Sequence, residues 1–188
     1  MKIALAGNIA SGKSTVQNIL ENLGYKVLDT DKCGHDALRL SDVKEKLSAL
    51  PIFENGEISR EKLAKLVFSD KKIKQTLEKA VHPIIRQNIL DFFEQNKSED
   101  LVFVGIPLVF EANMTDLFDK IVFVYADDDI RLKRLITRNN YSEDYARMRL
   151  NSQIPQAEKL SASDYVINNN GTQQELKAQV TELLAQLV

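Results

Sequence analysis

The run Gly7-Asn8-Ile9-Ala10-Ser11-Gly12-Lys13-Ser14-Thr15 decides how the rest of the chain is read. Gly7 to Ser14 fit the spacing G-x-x-x-x-G-K-[ST] of a loop that wraps the phosphates of ATP or GTP. The flanks support that reading as much as the spelling does. Ile3-Ala4-Leu5-Ala6 is a short apolar strand, and Thr15 to Leu23 then carries Val16, Ile19, Leu20 and Leu23 at helical spacing. In such a strand, loop and helix, backbone N–H groups and the helix N-terminus meet negative charge together. Gly7, Ala10, Ser11, Gly12, Lys13, Ser14 and Thr15 are therefore the candidate nucleotide contacts. Gly12 lets the backbone approach the phosphates, Lys13 reaches the β and γ oxygens, and the Ser14 hydroxyl ligates Mg²⁺. Thr15 either contacts phosphate or supports the first helical turn.

Composition bounds the rest. The 188 residues, 44% of them hydrophobic, suffice for one domain with a real core. Lys plus Arg number 25 against 27 acidic residues, a formal charge of -2, so there is no basic excess of the kind that general nucleic-acid binding requires. One cysteine, Cys33, excludes an internal disulfide and any Cys-rich zinc site, and fits a reducing compartment. Residues 1–6 lead straight into the loop and do not read as a signal peptide, and no apolar run approaches membrane-spanning length. The expectation is a cytoplasmic protein with a small-molecule partner and neither nucleic acid nor membrane.

Further short apolar runs alternate with helical patterns. Tyr25-Lys26-Val27-Leu28 reads as a second strand that delivers Asp29 and Asp31 at its C-terminal end. Leu101 to Ile106, Ile121 to Tyr125 and Tyr165 to Ile167 read as three more, and Thr172 caps a final helix through Leu187. Parallel neighbours need helical crossovers, so this alternation predicts an α/β fold around a parallel sheet. Residues 34–100 interrupt the order with Lys- and Glu-rich helical patterns and no convincing strand. They read as a helical insertion in two parts within the single domain 1–188, with Pro83 ending one helix at His82 and opening the next.

Several side chains are candidates for chemistry. If the second strand continues to residue 31, Asp29 and Asp31 share a face at the sheet edge where α/β proteins bind ligands. A carboxylate there can orient or deprotonate an acceptor hydroxyl, or reach Mg²⁺ through water; either residue can equally cap a following helix. Arg131, Arg134 and Arg138 recur at spacings of three and four, and Arg147 and Arg149 follow after Asn139-Asn140-Tyr141-Ser142. Such a segment, about 138–155, can close as a lid over ATP, with Arg138 and Arg149 donating paired hydrogen bonds to the transferring phosphoryl group. The alternative for each arginine is a solvated helix face. Glu111 either lines an acceptor pocket or serves as a surface or capping acid.

The fate of the γ-phosphate separates a switch from a kinase. Asp31-Lys-Cys-Gly34 has the spelling D-x-x-G, and Asn96-Lys-Ser-Glu99 is one substitution from the guanine-reading N-K-x-D. Both are misplaced: the first follows the second strand at once, and the second precedes the third strand, away from the ligand-binding edge. A large insertion and an arginine-rich segment are instead what a transferase needs for a second substrate and for excluding water.

From end to end the chain resembles the dephospho-coenzyme A kinase family. The resemblance rests on motifs arriving in order: GNIASGKST, LDTD at 28–31, GEISREKLAKLVFSD at 56–70, LEKAVHPIIR at 77–86, IPLVFE at 106–111, RLNSQIPQAEK at 149–159 and DYVINNNGT at 164–172. It implies a P-loop kinase fold with a five-stranded parallel sheet, a helical acceptor-binding insertion and a lid. It also implies transfer of the ATP γ-phosphate, with Mg²⁺, to the ribose 3′-hydroxyl of dephospho-coenzyme A, the last step of coenzyme A synthesis. Another P-loop nucleoside or small-molecule kinase is the alternative, and a hydrolysing switch the remoter one. Matched onto this chain, the family's motifs make Asp31 the base, place His82, Pro83 and Arg86 near the acceptor, assign Arg138 and Arg149 to the lid, and set Asn169 beside adenine. The chain departs from the family at Asn8 and Ala10, where glycines are usual, at Thr30, and at Gly105, where many members carry an acid. Gly105 weakens any Mg²⁺ carboxylate on the third long strand and leaves Asp31 or water for that role.

Overall fold

The computed structural model describes residues 1–187, apart from the side chains of Phe68 and Ser69. The strands are β1 (Lys2–Ala6), β2 (Lys26–Asp29), β3 (Phe53–Glu54), β4 (Glu57–Ile58), β5 (Val102–Gly105), β6 (Lys120–Tyr125) and β7 (Tyr165–Asn168). The helices are α1 (Lys13–Asn22), α2 (Thr30–Ala37), α3 (Ser41–Lys46), α4 (Arg60–Ser69), α5 (Lys71–Gln95), α6 (Asp128–Asn139), α7 (Glu143–Asn151), α8 (Gln156–Ser161) and α9 (Gln173–Leu187). Contacts divide the chain into two compact units, one of Met1–Leu28 with Phe93–Val188 and one of Asp29–Phe92.

The first unit is built on a five-stranded sheet of order β2-β5-β1-β6-β7. β1 pairs in parallel with both β5 and β6, with Ile3 beside Phe103 and Ala6 beside Phe123, and β7 joins β6 in parallel. Strands covered on both faces carry continuous apolar runs, which is why β1 and β6 read so plainly in the sequence. Ile3, Leu5, Phe103 and Val124 meet Val16 and Leu20 of α1 and Leu176 and Val180 of α9 in one buried cluster. Ala4, Val104 and Phe123, alternating with them, are also buried. The chain leaves β1 for one side of the sheet and returns later to the other, so the C-terminal end of β1 is a topological switch point, where open α/β sheets bind ligands.

The second unit has its own core, in which Val43, Leu47 and Ile52 pack with Leu63, Ala80 and Val81. Two expectations are corrected, and one open alternative is decided, in the chain it spans. The first is the absence of strands: β3 and β4 form an antiparallel hairpin, Phe53 opposite Ile58 and Glu54 opposite Glu57. Asn55 and Gly56 both take positive φ, 51° and 81°, as the tight turn of a two-residue hairpin demands. Strands of two residues are too short for periodicity, but the Asn-Gly pair is itself a hairpin signal. The second is the break at Pro83, since α5 runs through it for 25 residues. An internal proline removes one helical hydrogen bond, and the burial of Ala80, Val81, Ile84 and Ile85 on the same helix outweighs that loss. The alternative decided is between a strand that continues to residue 31 and a cap on the following helix. The strand ends at Asp29, whose side chain caps α2 by accepting from the Asp31 N–H at 3.1 Å, so Asp31 lies in the first helical turn.

Phe103 is fully buried and meets Tyr25 edge-on, with ring centroids 5.5 Å apart. Phe103→Ala should lower unfolding free energy by about 3–5 kcal/mol in urea titration. In the second unit burial pushes the half-buried His82 imidazole below its usual range, the Lys74 charge adding to this and Glu78 opposing it. The unfolded chain then binds the proton more readily, so stability present above pH ~6.5 is lost as pH falls through the lower folded value. His82→Gln should flatten that acid limb in melts between pH 7 and pH 5.

Candidate nucleotide-binding site

The loop between β1 and α1 begins with a turn in which the Ser11 N–H donates to the Asn8 carbonyl at 3.0 Å. Ala10, third in that turn, has φ of 62°, a left-handed conformation more usual for glycine. Gly12 follows at φ of 101° and precedes α1, which no side chain caps. A Cβ on Gly12 would collide with the carboxamide of Asn169, so glycine is required by both backbone and space. An uncapped helix start behind a turn of this kind suits a bound anion. Lys13 is buried and donates to Gln17 Oε1 at 3.0 Å, Ser14 at the head of the helix is exposed, and Thr15 behind it is half-buried.

Gln17 is a residue that the sequence reading missed, although its position four after Lys13 on one helix face was the available signal. Its carboxamide occupies the space that a Cβ on Gly105 would need. The polar oxygen beside Lys13 therefore comes from Gln17. Gly7 is similarly constrained, since a Cβ would meet Ser11 Oγ and the Val124 carbonyl.

Side chains from distant segments hold the loop from outside. Arg131 on α6 donates through Nε to the Ile9 carbonyl at 3.0 Å and through Nη1 to Asp128 at 2.8 Å. The Ile9 N–H donates to Gln153 Oε1 at 2.7 Å, and Asn8 Nδ2 to the Ile154 carbonyl at 3.0 Å. Asn169 Nδ2 donates to the Ser11 carbonyl at 2.7 Å, and Arg134 Nη2 to the Asn169 carbonyl at 2.9 Å. Arg131 and Arg134 are thus engaged with the protein and do not form a solvated face. Asn169, expected beside adenine, is buried and touches the phosphate loop itself.

Ser142 caps α7, and Asn140 ends α6 in the left-handed conformation with φ of 53°. Ile9 and Ala10 pack against a small cluster of Leu132 and Leu135 of α6 and Ala146 of α7. Arg138 is exposed and donates to Asn139 at 2.9 Å, while Arg149 lies 6.0 Å over the Tyr145 ring. Glu111 accepts from Lys159 at 2.6 Å, joining the last residues of two of the quoted motifs through a pair in which Lys159 is fully buried. In the second unit Asp31 is exposed, and His82 and Arg86 are half-buried one turn apart on α5. Among the described residues no group of three acidic, His or Cys side chains could hold a metal, and no helix is long and apolar enough to cross a membrane.

Comparison with known proteins agrees with this arrangement. A family model described as dephospho-CoA kinase matches residues 1–175. The chain is 39% identical to the dephospho-CoA kinase of Geobacillus kaustophilus, over 99% of this chain and 96% of that one. It is 36% identical to that of Carboxydothermus hydrogenoformans, over 97% and 92%. Among solved structures, a Thermus thermophilus protein superposes with a TM-score of 0.87 at 32% identity, covering all of this chain and 98% of the other. Dephospho-CoA kinase from Campylobacter jejuni gives 0.68 at 31% with the same coverage. A shikimate kinase from Bacteroides thetaiotaomicron, at 14% identity and 0.55 over 100% and 98%, shares the fold alone, which is that of the P-loop kinases. With its strand, loop and helix at the sheet's switch point and these matches across nearly its whole length, the chain belongs to the dephospho-CoA kinase family.

Proposed function

We propose that the loop Gly7–Ser14 seats the phosphates of ATP and that the chain transfers the γ-phosphate to the ribose 3′-hydroxyl of dephospho-coenzyme A. The observation that carries this reading is the buried Lys13 behind the Gly12 turn, in a chain whose family performs the last step of coenzyme A synthesis. Neither a hydrolysing switch nor a different P-loop kinase is favoured by the family match.

Lys13 supplies charge to the β and γ oxygens, and the uncapped start of α1 adds its N–H groups and dipole. The exposed Ser14 hydroxyl fits one ligand position of Mg²⁺. Because no three-residue metal cluster exists among the described residues, the ion would be held chiefly by phosphate oxygens and water, the usual habit of Mg²⁺. Asp31 aligns the acceptor hydroxyl and takes its proton, with a water-mediated link to Mg²⁺ as a second duty. His82 and Arg86, one turn apart on α5, bind the acceptor within the 34–100 insertion. Arg138 and Arg149 belong to the lid of about residues 138–155, and Asn169 serves the nucleotide side. Glu111 acts through its pair with Lys159 on the chain that follows β5. The setting is the cytoplasm, with small-molecule partners only.

Incubation of the purified protein with ATP, Mg²⁺ and a panel of hydroxyl acceptors, with mass detection, should give one phosphorylated product, coenzyme A; phosphate release at an equal rate without acceptor would favour hydrolysis instead. Lys13→Ala should abolish turnover with little change in melting temperature, because the lysine serves phosphate charge; unchanged turnover at saturating ATP would remove it from the site. Asp31→Asn keeps shape but loses charge, and kcat should fall by about 10²-fold or more with ATP affinity by calorimetry nearly unchanged. A normal kcat would dismiss Asp31 from the mechanism.

A further inference from the structure

Two carbonyls of the phosphate loop are held by side chains that lie outside it. The peptide bonds are trans, and in a trans unit the C=O and the next residue's N–H point in opposite directions. Arg131 Nε holds the Ile9 carbonyl at 3.0 Å, which turns the Ala10 N–H the other way. Asn169 Nδ2 at 2.7 Å, joined by Arg134 Nη1 at 3.4 Å, holds the Ser11 carbonyl and turns the Gly12 N–H likewise. The Ile9 N–H, in contrast, is already given to Gln153.

Arg131 is an expensive way to fill this position. It is 2% exposed, its Nη2 has no hydrogen-bond partner among the described residues, and burial pushes its guanidinium below the usual range. An apolar side chain would fill a buried position at less cost, since a buried charge is poor value for stability alone. Such a cost is typical of a functional position.

We propose that Arg131 is a positioning residue for the nucleotide, its Nε holding the Ile9 carbonyl so that the Ala10 N–H is aimed at the phosphate seat. It acts through the backbone and not through its charge. Arginine Nε stands the same number of bonds from Cα as the Nε2 of glutamine, so Arg131→Gln can keep the brace while removing the charge. Lysine carries a methylene at that place and keeps the charge without the donor. The inference rests on the reading of Gly7–Ser14 as the phosphate seat.

The test compares Arg131→Gln, Arg131→Lys and Arg131→Met by ATP calorimetry, by KM for ATP and for dephospho-coenzyme A, and by melting. The glutamine variant should stay within about twofold of the parent for ATP. The lysine and methionine variants should weaken ATP binding about tenfold, one lost buried hydrogen bond's worth, with KM for the acceptor unmoved. Any order in which glutamine is not above lysine and methionine overturns the proposal, as does equal affinity in all three. A parent protein that binds no ATP would instead remove the phosphate seat itself. If the variants do not fold, the unaltered protein decides by NMR: the Arg131 Nε–H should exchange slowly and shift on addition of ADP but not of adenosine. Exchange as fast as a free guanidinium, or indifference to ADP, overturns it.

Discussion

A backbone N–H can meet an anion only if its peptide plane is kept from turning, and that constraint organises this protein. The loop after β1 is short, contains a non-glycine residue at positive φ, and has no regular structure of its own between Gly7 and Lys13. Its shape is therefore imposed. β1, central in the sheet, fixes where the loop starts, and α1, packed through Val16 and Leu20, fixes where it ends. Arg131, Gln153, Ile154 and Asn169 then hold the peptides between.

Those holding groups come from three places far along the chain, and this gives the later motifs a shared physical meaning. Gln153 and Ile154 lie just past α7, Arg131 and Arg134 lie on α6, and Asn169 closes β7. Gln156 adds to the same web by donating to the Ala126 carbonyl at 3.0 Å and to Asp128 at 2.9 Å. The stretch 149–159 is thus the segment that ties the phosphate loop to Ala126 and Asp128 at the start of α6. Ile9 and Ala10 contribute an apolar tie to α6 and α7 in parallel with the polar ones. The Ala10 side chain restricts the turn while adding a methyl to that contact.

Much of the fold was legible because parallel strands buried on both faces leave continuous apolar runs, and the five long strands were placed to within a residue or two. The errors fell where local rules met tertiary ones. Pro83 obeyed its propensity in isolation, but α5 carries a buried face long enough to continue through it. For Asp29 and Asp31 local spacing leaves a strand face and a helix cap equally open, and the Asp29 side chain decides it by capping α2. The Asn55-Gly56 pair is a hairpin signal by itself, but its two-residue strands carry no periodicity.

By itself the sequence determined the succession of the five long strands, the presence and place of the phosphate loop, and the family, because these rest on local spelling, burial periodicity and motifs of fixed spacing. It also placed Gly12, Lys13 and Ser14 within that loop. Only the tertiary structure decided what the arginines of α6 do, that Asn169 is pinned against Ser11, that Gln17 fills the space at Gly105, and that Glu111 pairs with Lys159. Each of these is a contact between residues tens of positions apart, or a choice between solvent and protein for a charged side chain. Spacing along one helix cannot decide that choice, because a guanidinium facing water and one bracing a distant carbonyl occupy the same place in the helical repeat.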